Sequence, residues 1–181
     1  MFDEGKISFR KLLSEDLPLM QRWLSEPHVH EWYDKDKDNS LEEVAKRYDP
    51  KIIGNKPTAP HLVLYDIKPV AYIQNYKVND YWEEFGQYVG YDDHTASVDL
   101  FIGEQDFVGR GFGSMMLKKF LKEIVFANPD ITTCIIGPEP DNKRAIKAYE
   151  KVGFKYVKTV QIPDDPDLTD IMVIKREELS D

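Results

Sequence analysis

Three glycines alternate through the run Val108-Gly109-Arg110-Gly111-Phe112-Gly113-Ser114. The run directly follows the strand-like segment Val98-Asp99-Leu100-Phe101-Ile102 and opens an amphipathic stretch that reaches about residue 127. Alternating glycines let a backbone approach an anion closely, and the first turn of the helix offers unpaired N–H groups and the positive end of its dipole. The feature therefore predicts a strand, a tight turn and a helix arranged around a phosphate-bearing ligand. No Gly-Lys-Ser/Thr follows, so it is not a P-loop; no early βαβ unit leads into it, so it is a poor dinucleotide fingerprint.

Apolar spacing divides the rest of the chain. A strand is predicted over residues 7 to 12, then a helix over 14 to 24 with Leu17, Met20, Trp23 and Leu24 on one stripe and Pro27 placed to stop it. Ser40-x-x-Glu43 is a capping box for a second helix that turns Leu41, Val44, Ala45 and Tyr48 inward. Pro50, Gly54, Pro57 and Pro60 predict a loop after it, and residues 61 to 65 and 70 to 76 flank a turn as a hairpin. Beyond the glycine-opened helix come a strand at 132 to 136, a helix at 142 to 152 and strands near 155 to 162 and 169 to 174. This pattern supports a mixed α/β domain.

With 181 residues, 41% of them hydrophobic, the chain suits one well-buried core, so residues 1 to 181 are read as a single domain. A formal net charge of −9 repels nucleic acid and favours cationic or neutral substrates. The start Met1-Phe2-Asp3-Glu4 lacks a basic, apolar leader, and no apolar run approaches the roughly 20 residues that span a bilayer; a cytoplasmic protein without membrane attachment is expected. Cys134, the single cysteine, sits in a strand-like run and reads as a core thiol. His28, His30, His61 and His94 lack metal-ligand spacing, so no metal is assigned.

A second element, Asn142-Lys143-Arg144-Ala145 through Tyr149 to Gly153-Phe154, joins the glycine loop. The pair resembles the GNAT superfamily of acetyl-CoA-dependent acetyltransferases. The resemblance implies a mixed, mostly antiparallel sheet flanked by helices in the order β-α-α-β-β-β-α-β-α-β-β. It also implies that the loop grips the coenzyme A pyrophosphate while the second motif lies beside pantetheine and thiol. Cofactor contacts would then come from Phe101, Ile102, each residue from Val108 to Ser114, Asn142 and Ala145. Val108 stands where many members carry Gln or Arg, and Arg110 is a nearby substitute donor.

Further runs are similar to the aminoglycoside 6′-N-acetyltransferases: Glu31-Trp32-Tyr33, Leu41-Glu42-Glu43-Val44 through Tyr48 and Pro50, Tyr81-Trp82-Glu83-Glu84, Val98-Asp99, and Arg144-Ala145-Ile146 through Tyr149-Glu150-Lys151. This similarity implies a cationic small-molecule amine as acceptor, held by Tyr33, Tyr48, Trp82, Asp99, Glu139 and Asp164 or Asp165. Gly137 departs from the family's acidic residue before Pro-x-Pro, and the segment from 81 to 99 is longer. By composition that segment, with Tyr88, Tyr91, Asp92 and Asp93, reads first as a solvated acidic loop whose aromatics seal the core, and the similarity turns it toward binding a polyamine or amino sugar.

Amine acetylation needs a neutral nitrogen, a stabilised oxyanion and a proton for the departing thiolate. Asp99 is the expected base, or else a carboxylate paired with a surface cation. Tyr149 is the expected acid by resemblance, and it shares a helix stripe with Ala145 in any case. A backbone N–H in the strand from 98 to 102 would polarise the thioester. Two other functions stay open: a siderophore hydroxylysine acyltransferase, echoed by Phe101-Ile102-Gly103-Glu104 and Pro138-Glu139-Pro140-Asp141 but lacking a histidine in that strand, and a non-catalytic acyl-CoA-binding module. Monomer and homodimer are both open.

Overall fold

In the computed structural model, which describes residues 2–90, 92–163 and 165–179, seven strands pair in one sheet. They are β1 (Ile7–Lys11), β2 (Ala59–Tyr65), β3 (Lys68–Lys77), β4 (Thr95–Ile102), β5 (Thr133–Ile136), β6 (Lys155–Gln161) and β7 (Leu168–Lys175). The helices of eight residues or more among the described residues are α1 (Leu17–Leu24), α2 (Leu41–Ile52), α3 (Phe112–Phe120) and α4 (Lys143–Val152). The spatial order is β1-β2-β3-β4-β5-β7-β6, and every neighbouring pair is antiparallel except β4 and β5. No helix among the described residues is long and apolar enough to cross a membrane.

Strand alternation sends successive side chains to opposite faces and so builds two apolar layers. Tyr72 and Phe101 join Trp23, Leu24, Val44 and Tyr48 beneath α1 and α2. Ile73 and Val98 instead join Phe112, Met116, Phe120 and Val152 beneath α3 and α4. Cys134 is fully buried in β5, and burial raises its thiol pKa.

Local boundaries depart from the sequence reading where tertiary packing outweighs a breaker. Helix α2 runs through Pro50 to Ile52, because the buried Val44 and Tyr48 anchor its inner face and the Ile53 N–H still closes on Asp49 O at 3.0 Å. The expected loop from 50 to 60 is correspondingly shorter, and Pro60 lies inside β2 opposite Gln74. Pro27 begins a further helical turn, Pro27–His30, at a position where its missing N–H costs nothing. The acidic aromatic stretch forms successive helical turns, Val78–Tyr81, Trp82–Gly86 and Gln87–Val89.

One topological feature positions the site. The parallel ladder between β4 and β5 holds only three pairs, Thr95 with Thr133, Ala96 with Cys134 and Ser97 with Ile135. Past Ser97 β4 stays with β3 and β5 stays with β7, so the sheet splits.

Candidate active site

A cleft of about 470 Å³ opens where β4 leaves β5, and it joins the glycine loop, Asp99, Tyr149 and Tyr33 in one space. Beyond the split the β4 backbone is exposed to this cleft at every second residue. His94 O accepts from Thr132 N–H on the β5 side, and Ile102 O accepts from His28 Nε2 at 3.0 Å. The period of two then turns the backbone groups of Val98 and Leu100 the same way.

The loop that closes one end is built to meet an anion. Gly109 and Gly111 take the left-handed φ values of 72° and 85° that favour glycine, and Gly111 caps α3 without a side-chain partner. A Cβ at either would meet nothing within 4 Å, so the space above the loop is open. Among the described residues, no N–H from Gly109 through Ser114 has a backbone acceptor. A run of free N–H groups at the head of a nine-residue helix fits the pyrophosphate of coenzyme A. Val108, Gly113 and Ser114 also line the cleft, as do Phe101 and Ile102. Arg110 and Phe112 do not: the Arg110 guanidinium lies 5.2 Å from the Phe2 ring and donates to Asp106 O, while Phe112 is fully buried in the core.

Helix α4 supplies the opposite wall. Asn142 Oδ1 accepts from Ala145 N–H at 3.1 Å and caps the helix, and the three-and-four spacing sets Asn142, Ala145 and Tyr149 on the cleft side. Tyr149 is 9% exposed, and burial raises its phenol pKa, so its hydroxyl keeps its proton at neutral pH.

Asp99 reaches the cleft from β4 on the face that carries Tyr72 and Phe101. Burial raises its carboxyl pKa, while the Gln74 amide and the charge of Lys51 act in the opposite sense. Gln74 Nε2 donates to Asp99 Oδ2 at 2.7 Å.

The remaining expected acceptor residues are divided by the fold. Tyr33, Glu139 and Asp165 line the cleft, with the Tyr33 ring edge-on to Phe101 at 4.9 Å. Tyr48 is 1% exposed, packs edge-on to Tyr72 and directs its hydroxyl toward Asp34, so it stands behind the wall. Trp82 is 42% exposed in a separate depression with Asn79, Asp92 and Asp93. Asp164 and Tyr91 lie outside the described residues.

Several groups carried no local signal. Lys35 Nζ pairs with Glu139 at 2.9 Å and with Asp167 at 2.5 Å, joining three segments remote in sequence at the cleft rim. Gly137 also has a tertiary reason: a Cβ there would lie 2.7 Å from Thr169 Cγ2, so any side chain at this point would require Thr169 to shift.

Comparison with known proteins agrees with this geometry. Residues 13–162 match a family model described as an acetyltransferase (GNAT) domain. The aminoglycoside N(6′)-acetyltransferase type 1 of Klebsiella pneumoniae is 28% identical over 165 residues, covering 88% of this chain and 79% of the relative. The structure of AAC(6′)-Ib in complex with ribostamycin and coenzyme A superposes with a TM-score of 0.87 at 26% identity, over 96% of this chain and 95% of the other. A second structure of that aminoglycoside acetyltransferase, with coenzyme A and kanamycin, gives 0.84 at 27% identity over 95% and 96%.

Proposed function

This chain belongs to the GNAT acetyltransferase domain family, and from that membership we propose that it moves the acetyl group of acetyl-CoA directly to a primary amine of a cationic small molecule, the 6′-amine of an aminoglycoside. The observation that carries the reading is the single cleft in which a loop of free N–H groups, the half-buried Asp99 carboxylate and the buried Tyr149 phenol meet at the split between β4 and β5. The names of the relatives support the acceptor class.

When bound, acetyl-CoA supplies the activated acetyl group. The glycine loop and the first turn of α3 hold its pyrophosphate, with Asn142 and Ala145 beside the pantetheine. Asp99 accepts the amine proton, directly or through water. An amine of pKa about 8 costs only about 1.4 kcal/mol to deprotonate at pH 7, so a carboxylate is a sufficient proton acceptor. The Leu100 N–H, turned into the cleft, is a donor for negative charge developing on the carbonyl oxygen. Tyr149 holds on Oη the proton that the thiolate requires. Tyr33, Glu139 and Asp165 line the acceptor end; we assign no acceptor contact to Tyr48 or Trp82. We also read residues 1 to 181 as one catalytic domain of a cytoplasmic enzyme.

The deciding experiment measures thiol release from acetyl-CoA with aminoglycosides, polyamines, hydroxylysine and peptides. Fast release with 6′-amino aminoglycosides alone supports the reading. Preference for hydroxylysine or a polyamine replaces the acceptor, and no release with any amine removes the catalytic assignment.

A further inference from the structure

Helix α2 carries a cation behind the cleft wall that the acetyl-transfer chemistry leaves unused. Lys51, in the last turn of the helix, places Nζ 2.9 Å from Gln74 Oε1 and 4.7 Å from the centre of the Tyr48 ring. Tyr72 OH donates to the same Gln74 oxygen at 2.7 Å. Two donors at one oxygen fix which way the Gln74 amide faces, and its nitrogen then has one acceptor to meet, Asp99 Oδ2 at 2.7 Å. These five residues lie on three elements, α2, β3 and β4, and Gln74 and Asp99 are direct partners in the ladder between β3 and β4.

We propose that Lys51 is a positioning residue for Asp99, acting through the Gln74 amide to keep that carboxylate aimed and charged at the acceptor end of the cleft. The proposal rests on the assignment of Asp99 to proton transfer. Asp99 lines the cleft and Lys51 and Gln74 do not, so their action passes through the hydrogen-bond chain and the field of the charge. A cation on the amide oxygen polarises the amide and strengthens donation from its nitrogen.

Burying an ammonium group is costly unless it is compensated. Here the compensation comes from Gln74, the Tyr48 ring and the charges of Asp99 and Asp34. Lys56 and Arg47 oppose the charge on Lys51, and Arg47 Nε itself lies 3.4 Å from Asp34 Oδ2. Around Asp99 the other titratable groups are Asp34, which opposes its ionisation, and Tyr33, Tyr72, Tyr76, Tyr149 and Cys134, which burial keeps neutral. Lys51 is thus the cation, among the described residues, that favours the charged form of Asp99.

The test titrates the Asp99 carboxyl by carbon-13 NMR in the free protein, its resonance assigned by its loss in Asp99→Asn. Lys51→Met removes the charge and keeps an apolar stem of similar length; the Asp99 midpoint should move up by roughly one pH unit or more. Lys51→Arg should restore it toward the wild-type value, and the acid limb of kcat/KM should follow the midpoint in each protein. If Lys51→Met does not fold, Lys51→Gln, which keeps a donor for Gln74 without the charge, should give the same upward shift. An unmoved midpoint in a folded charge-free variant overturns the proposal. Full acetyl transfer by Asp99→Asn would strike instead at the role of Asp99 in the reaction, and the titration would still read whether Lys51 governs its charge.

Discussion

Gln74 and Asp99 face each other across the ladder between β3 and β4, and the amide nitrogen donates to the carboxylate at 2.7 Å. This contact favours the ionised carboxylate while burial disfavours it, and burial is the larger effect. Activity that needs deprotonated Asp99 should therefore fall as pH drops through a midpoint above the ordinary carboxylate range. Asp99→Asn should lower kcat/KM at pH 7 by roughly 10²-fold or more and abolish that acid limb. A pH profile of the two proteins checks this, and an unchanged limb in Asp99→Asn would assign the titration to another group.

Tyr149→Phe removes one hydroxyl from the α4 wall and leaves the ring in place. With Tyr149 as the proton donor, kcat should drop by roughly 10²-fold while coenzyme A affinity changes little. Steady-state kinetics beside calorimetry separates the two quantities. Wild-type turnover would leave Tyr149 a packing residue.

Gly111→Val places a β-branched side chain at φ 85°, a conformation that such residues avoid, at the cap of α3. The loop must then shift and its free N–H groups lose their common direction. Coenzyme A binding should weaken by roughly tenfold or more, equivalent to about 1.4 kcal/mol. Calorimetry on a variant with an unchanged circular dichroism spectrum is the measurement, and undiminished affinity would take the loop out of the cofactor site.

Lys35 pairs with both Glu139 and Asp167 at the cleft rim and offsets part of their charge. Lys35→Met frees both carboxylates, so the KM for a polycationic acceptor should fall severalfold at low salt and become more salt-sensitive. An acceptor with one positive charge should respond less. A higher KM for both acceptors would mean that the ion pairs serve mainly to hold the rim together.

Asp16 has a structural role that pH should expose. Arg10 reaches it with two nitrogens, at 2.6 and 2.7 Å, and Leu13 N–H donates at 2.9 Å. The hydrogen bonds from Arg10 lead in holding its carboxyl pKa below the usual value. A depressed carboxyl contributes stability above its unfolded pKa of about 4 and loses it as pH falls through the folded value. Asp16→Asn should cost about 2 kcal/mol near neutrality, with the difference from wild type shrinking below about pH 4. Urea unfolding at several pH values tests it, and a pH-independent difference would point to packing instead.

What the chain could specify locally, it specified in its own order of residues. Glycines at 109 and 111 require positive φ, Asn142 caps the helix that begins one residue later, and the stripe from Leu17 to Leu24 buries where its period directs. These features depend on neighbours within one or two turns, so the spacing of residues contains them. Proline at 50 misled for the opposite reason: whether a helix survives it depends on what the rest of that helix buries, and Val44 and Tyr48 bury against other elements. The split between β4 and β5, the placing of Trp82 outside the cleft and the contact between Lys35 and Glu139, 104 residues apart, arise only when distant segments pack. The chain from Lys51 through Gln74 to Asp99 is of the same kind. Burial and electrostatic pairing depend on which segments share a space, and that is decided by the assembled sheet and its helices.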